Sequence, residues 1–320
     1  MAENNNNQRN SGFTSNIGEE NSLGFGTTPS GGPGFTPPQP EPENQGGIIG
    51  LSDNEIKDPN EIVVTVSDPA PVVVLFGART SGKTMALIRL TQYLEKIGYQ
   101  VVPNKTFRPA YDNHYERICK EYPKLCHSKY APDGNNVISF MLVKVLDRIG
   151  RPICQLLEAP GEHYFDPNDP QKQFPTYITN IMQLSNKRVW MFIVEQDWGS
   201  DQVMRDMYVQ RINNMPANLR RDKVIFTCHK VDEHPQVFLG NGMPNKNQIF
   251  KNIKNDYPGI FTPFENKNPI TRLFRKYNFQ FVPFSAGAFT PTDSGRQVYT
   301  PGQDIYPKLL WKAILKTVKG

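Results

Sequence analysis

From about residue 60 onward, short continuous apolar runs alternate with segments whose apolar residues recur at helical spacing. Val72-Val73-Val74-Leu75-Phe76 is a strand-type run that ends at Gly77. Met85, Leu87, Ile88, Leu90 and Leu94 then fall at helical spacing before a stop at Gly98. Residues 99–136 read as irregular, because Pro103, Pro109, Pro123 and Pro132 interrupt any long element; a short amphipathic helix is expected near residues 111–121. Residues 137–147 and 153–157 read as two strands joined by the turn Arg148–Pro152. So short a connection forces antiparallel pairing, since a parallel crossover needs a dozen or more residues. Beyond them come a helix over 177–184, a strand over 189–194 and a helix over 202–213. A strand over 223–228, a helix over 247–255, a strand over 279–284 and a final helix over 305–317 complete the series. This alternation predicts an α/β fold: a mainly parallel sheet with one antiparallel edge strand and helices on both faces.

Composition separates the first sixty residues from the rest. Residues 1–47 are Asn, Gly, Pro, Ser and Glu with isolated Phe, too little apolar surface to repay ordering, so 1–60 is expected to be a disordered acidic tail and 61–320 the folded domain. The tail carries Arg9 and Lys57 against eight acidic residues, which leaves the remainder at +11. That basic body suits an anionic ligand. Its cations are interleaved with acids, and no basic run marks a nucleic-acid surface. No run of 18 apolar residues predicts a membrane span, and Ala2 excludes N-myristoylation. Cys119, Cys126, Cys154 and Cys228 are scattered, as expected in a reducing cytoplasm.

The candidate chemistry starts at Gly77-Ala78-Arg79-Thr80-Ser81-Gly82-Lys83-Thr84, a G-x-x-x-x-G-K-T pattern between a strand and a helix. The glycines let successive N–H groups turn inward around an anion, and the helix N-terminus adds its positive dipole end. Lys83 is expected to reach the β/γ-phosphates and the Thr84 hydroxyl to sit on Mg²⁺. At later strand ends stand Glu158-Ala159-Pro160-Gly161, His229-Lys230-Val231-Asp232 and Ser285-Ala286-Gly287. A carboxylate such as Asp232 can accept both donors of the guanine edge, which adenine does not present.

With these four motifs in order, residues 70–317 resemble a divergent Ras-like P-loop GTPase of the translation-factor-related class, of bacterial type. The family reads N-K-x-D, S-A-K and D-x-x-G at the three later positions, so His229, Gly287 and Glu158 are departures from it. The resemblance implies phosphate binding by Gly77 to Thr84 and by Gly161. It implies base binding by His229, Lys230, Asp232, Ser285, Ala286 and Gly287, and Mg²⁺ at Thr84 and Glu158. Thr106, the only threonine of the stretch matching the first switch, is the third metal candidate. Glu162 follows Gly161 where Ras-like proteins have a water-orienting Gln, and His163 is the neutral alternative for that task. Arg79 stands where the family has glycine: an arginine finger in cis, an obstruction to water, or an outward-facing side chain. The expected function is a GTP/GDP switch that engages a protein partner through its mobile loops. Two alternatives stay open: a pseudo-GTPase that holds nucleotide without turnover, and an ATP-using P-loop NTPase or kinase.

Overall fold

A computed structural model describes residues 50–132, 140–196, 201–216 and 222–320. The expectation of a disordered tail over 1–47 falls outside the described residues. Strand β1 (Val72–Phe76) is buried along its whole length. It lies inside a seven-stranded sheet with β2 (Gln100–Pro103), β3 (Met141–Leu146), β4 (Pro152–Glu158), β5 (Arg188–Glu195), β6 (Lys223–His229) and β7 (Gln280–Pro283), in the order β2-β3-β4-β1-β5-β6-β7. All pairings from β4 to β7 are parallel, and β3 runs against both its neighbours. Alternate side chains of β1 meet helices on opposite faces. Leu75 lies with Ala86, Leu87 and Leu90 of α2 (Lys83–Lys96) and with Leu310 and Ile314 of α9 (Ile305–Lys319). Phe76 packs against Tyr164 of α4 (Gly161–Tyr164) and Tyr208 of α6 (Gln202–Asn213). The expected α/β class, a mainly parallel sheet with helices on both faces, is what the chain adopts.

The antiparallel strand lies one place in from the edge. The edge itself is β2, in the stretch read as irregular; Pro103 at its end lacks an N–H, a defect that only an edge or a strand end tolerates. The hairpin of β3 and β4 turns through Gly150 at φ 81°, with the Asp147 carboxylate accepting from the N–H groups of Ile149 and Arg151 at 3.0 and 2.9 Å. Downstream of β2, α3 (Asn113–Cys126) buries Tyr115, Ile118, Cys119, Tyr122 and Cys126, so 100–126 is a packed strand and helix and not a loop.

The boundary expected at residue 60 falls inside a packed segment. Helix α1 (Asp53–Lys57) is closed by a Ser52–Glu55 capping box, and Leu51 is buried. The Arg108 guanidinium holds this segment by pairing with Glu55 and, at 2.6 Å, with Asp112. A second, two-stranded sheet of β8 (Gly287–Pro291) and β9 (Gln297–Pro301) follows β7 without a sequence expectation. The remaining helices are α5 (Thr176–Gln183), α7 (Lys246–Asp256) and α8 (Pro269–Phe274). Among the described residues no helix is long and apolar enough to cross a membrane.

Candidate functional site

From β1 the chain passes through α2 to one edge of the sheet, whereas β5 lies on β1's other side. Strand order therefore reverses at β1, the place where open α/β sheets form a ligand crevice outside the strand carboxyl ends. The sequence candidates gather along that rim. Gly77 to Thr84 leave β1, Glu158 to His163 leave the neighbouring β4, His229 to Asp232 follow β6, and Ser285 to Gly287 follow β7.

The loop after β1 has the form of an anion cradle. Thr80 (φ 63°) and Gly82 (φ 83°) are left-handed, which turns successive amides to one side. The N–H groups of Thr80, Gly82 and Lys83 donate to no backbone carbonyl among the described residues. Gly82 stands at the N-cap of α2, so the helix begins directly at this loop. Lys83 is buried and folds back along the loop, its Nζ donating to the carbonyls of Ala78 (2.8 Å) and Gly77 (3.1 Å). Arg79 is exposed with no side-chain bond among the described residues, the outward-facing alternative. Gly161 is pressed against this loop. A Cβ there would stand 2.2 Å from the Arg79 nitrogen and 2.4 Å from the Ala78 carbonyl carbon, so only glycine fits.

Beside the loop, the Thr84 hydroxyl donates to Glu158 Oε1, while Glu158 Oε2 is buried without a hydrogen-bond partner among the described residues. Burial pushes the Glu158 carboxyl above its ordinary range and pulls the Lys83 ammonium below its own, and their mutual attraction opposes both shifts. A hydroxyl beside an under-satisfied carboxylate is a donor set that suits a hard, oxygen-seeking cation such as Mg²⁺. Thr106 is not part of it. Its hydroxyl donates to Asn104 Oδ1 at 2.9 Å, and it follows β2, three strand spacings or about 14 Å from β1.

The other end of the rim is tied to the loop by His229. Its ring is buried and stacked on Phe284, a Cβ on Gly82 would lie 3.0 Å from its Nδ1, and its Nε2 has no hydrogen-bond partner among the described residues. The imidazole thus packs the loop after β6 against the loop after β1, and burial depresses its pKa to about 3. Lys230 adopts φ 54° and donates to Glu195 Oε2 at 2.6 Å. Asp232 is exposed with no ion pair or hydrogen bond from its carboxylate among the described residues. Ser285 is buried, and the Ala286 carbonyl accepts from Tyr299 Oη (2.8 Å) and Gly302 N–H (2.9 Å), which fixes that loop and leaves the Ala286 N–H without an acceptor among the described residues. Gly287 begins β8 at φ 133°, and a Cβ there would meet the Thr300 carbonyl at 2.1 Å. Only glycine fits there because the end of β9 passes over it.

The two water-orienting candidates diverge. Glu162 is exposed and within electrostatic reach of Lys83. His163 turns into the core: its Nδ1 bonds Tyr177 Oη of α5 at 2.8 Å, and burial lowers its pKa to about 4. Glu195 was missed from sequence. A carboxylate closing an apolar strand and left 8 % exposed was the available signal.

No protein-family model matches this chain, and no curated protein matches it. Among solved structures it is similar to Roco2 RocCORdC of Methanosarcina barkeri bound to GDP, with a TM-score of 0.32 and 14% identity over 80% of this chain and 52% of that one. It is also similar to the bacterial selenocysteine-specific elongation factor EF-Sec (TM-score 0.35, 13% identity, 78% of this chain and 28% of that one). The SRb-GTP/SRX signal recognition particle receptor complex of Chaetomium thermophilum gives a TM-score of 0.36 at 12% identity, over 77% of this chain and 98% of that one. This chain therefore spans about half of the Roco2 chain and little more than a quarter of EF-Sec. The glycine loop thus stands at the reversal of strand order of a mainly parallel α/β sheet, with the later loops on the same rim.

Proposed function

We propose that the rim binds a guanine nucleotide with Mg²⁺ and that the bound state governs the loop after β4, as in a molecular switch. The observation that carries this reading is the lateral order of the loops: phosphate cradle at β1, then His229–Asp232 and Ser285–Gly287 at two and three strand spacings, about 10 and 14 Å away. An extended nucleoside diphosphate covers that span. The open amides of the cradle and Lys83 suit the phosphates. The unengaged Asp232 carboxylate suits the two donors of guanine, and the Ala286 N–H suits its carbonyl. Thr84 and Glu158 are the residues that would hold Mg²⁺, whose charge would offset that of the phosphates; Thr106 would not. The four cysteines are free, which supports a reducing, cytoplasmic setting.

Two features favour the catalytically weak form of this reading, a nucleotide-held docking module for a protein partner. His163 is committed to Tyr177, and the residue beside the phosphates is a carboxylate, Glu162, which repels the attacking end of a hydrolytic site. Phosphate release from GTP by the wild-type chain and by Lys83→Ala separates the forms. Release above the Lys83→Ala rate supports a turning-over switch; equal rates with retained GDP binding support the docking module. Loss of GDP binding from the wild type removes both.

A further inference from the structure

Between β6 and β7 the chain makes an excursion closed at its base by an antiparallel bridge between Glu265 and Tyr277. The base is clamped. Asn266 N–H donates to the Lys276 carbonyl at 2.9 Å, and Asn278 N–H to the Phe264 carbonyl at 2.8 Å. The Arg275 guanidinium reaches back to the carbonyls of Tyr277 (3.0 Å) and Phe279 (3.1 Å). Helix α8 forms the tip, and its N-cap Asn268 accepts from the N–H groups of Ile270 and Thr271. Ile270, Leu273 and Phe274 stand at i, i+3 and i+4, so they share one helix face. That face is turned to solvent, the three residues being 69%, 85% and 88% exposed. Large apolar side chains displayed together on a well-held element mark an interaction surface.

Charge indicates what covers the face. Residues 265–276 hold Lys267, Arg272, Arg275 and Lys276 against the single carboxylate of Glu265, which pairs with Arg272 (3.3 Å) and Lys276 (3.6 Å); the net charge is +3, and all four cations are exposed. We propose that this finger docks on an anionic phospholipid surface, with Ile270, Leu273 and Phe274 entering the boundary between headgroups and acyl chains and Lys267, Arg272 and Lys276 facing lipid phosphates. A projecting tip needs a matching acidic-rimmed groove in a protein partner, whereas a bilayer yields to a projecting shape and presents anionic groups across its whole surface. Apolar residues on one face with Lys and Arg beside them are the composition of an interfacial element. Each such cation near an anionic leaflet strengthens partitioning by roughly five-fold, and the attraction weakens with salt.

The test is co-sedimentation of the full chain with vesicles of phosphatidylcholine alone and of phosphatidylcholine with phosphatidylglycerol. Binding to the anionic vesicles only is expected, with a loss of ten-fold or more, on the order of the burial of a few methylene groups, in Leu273→Glu/Phe274→Glu. A Phe274→Trp chain gives a second readout that does not depend on the charged variant folding: its emission should shift to the blue when anionic vesicles are added. A wild-type chain that stays in the supernatant overturns the proposal and leaves the face to a protein partner. Unchanged binding by Leu273→Glu/Phe274→Glu overturns it in favour of another basic surface, as does a Phe274→Trp emission that stays put while the chain binds. Equal binding to neutral vesicles overturns the role of the cations.

Discussion

Replacing His229 with asparagine tests how the loop after β6 is held against the loop after β1. The imidazole is held neutral by burial, with a pKa depressed from 6.5 to about 3. Such a group takes its proton in the unfolded chain before it does so in the folded one. Keeping it neutral therefore costs nothing above about pH 6.5, and stability falls as the pH drops from there toward 3. Acidification to about pH 5 crosses about 1.5 units of that window, which at about 1.4 kcal/mol per unit amounts to about 2 kcal/mol. For a folded body of this size that is a Tm decrease of about 4–8 °C. Glu158 acts in the opposite direction. Its carboxyl is raised above 4.5 by burial, so the folded state takes up that proton first and gains stability as the pH falls. The wild-type melting curve mixes these effects, and His163 adds a further acid-sensitive contribution. The difference between wild type and His229→Asn isolates the one group, because the others are common to both. Circular-dichroism melts at about pH 7, 6 and 5 should show His229→Asn losing about 4–8 °C less than wild type across the series. Nucleotide affinity should persist, because asparagine keeps a polar side chain beside Gly82. Parallel pH dependences in the two proteins would show that His229 is not held neutral in the fold.

Three further substitutions probe the rim. Gly161→Ala inserts a methyl 2.2 Å from the Arg79 nitrogen, so overpacking of about 1–3 kcal/mol and weaker nucleotide binding are expected; an unchanged Tm and Kd would mean that the glycine does not touch the cradle. Thr80→Gly removes a left-handed β-branched residue, a relief of about 1–2 kcal/mol set against about 0.5–1 kcal/mol for glycine's greater unfolded freedom. A Tm rise of at most a few degrees follows, and a fall would contradict the strain. Glu195→Gln frees the Lys230 ammonium and should weaken GDP binding several-fold without altering the fold, as read by calorimetry; an identical Kd would remove Glu195 from positioning Lys230.

The glycine loop after β1 was legible because strand, turn and helix start are adjacent in sequence and each carries its own signal. The Val189–Val194 core of β5 was legible for the same reason, a continuous apolar run that only a strand buried on both faces needs. What escaped depends on partners distant in sequence. Gln100–Pro103 is too short and too polar to read as a strand until β3 pairs with it, and it carries Thr106 away from the site it was expected to serve. His163 faces inward because Tyr177, fourteen residues on, captures its ring. Glu195 becomes a partner of Lys230 because the β5–β6 register sets it opposite His229. Residues 50–61 resemble a tail in composition, and the buried Arg108–Glu55 pair that holds them joins positions far apart in sequence.

Base selection is the most direct test of the nucleotide site. Calorimetric titration of GDP, ADP and xanthosine diphosphate into wild type and Asp232→Asn measures it. A guanine-selective site binds GDP at least ~100-fold more tightly than ADP in the wild type, since the wrong base leaves a carboxylate unpaired. In Asp232→Asn the preference should pass to xanthosine diphosphate, whose altered edge complements the amide. Equal affinity for ADP and GDP, or GDP binding indifferent to Asp232→Asn, would contradict guanine recognition at this rim.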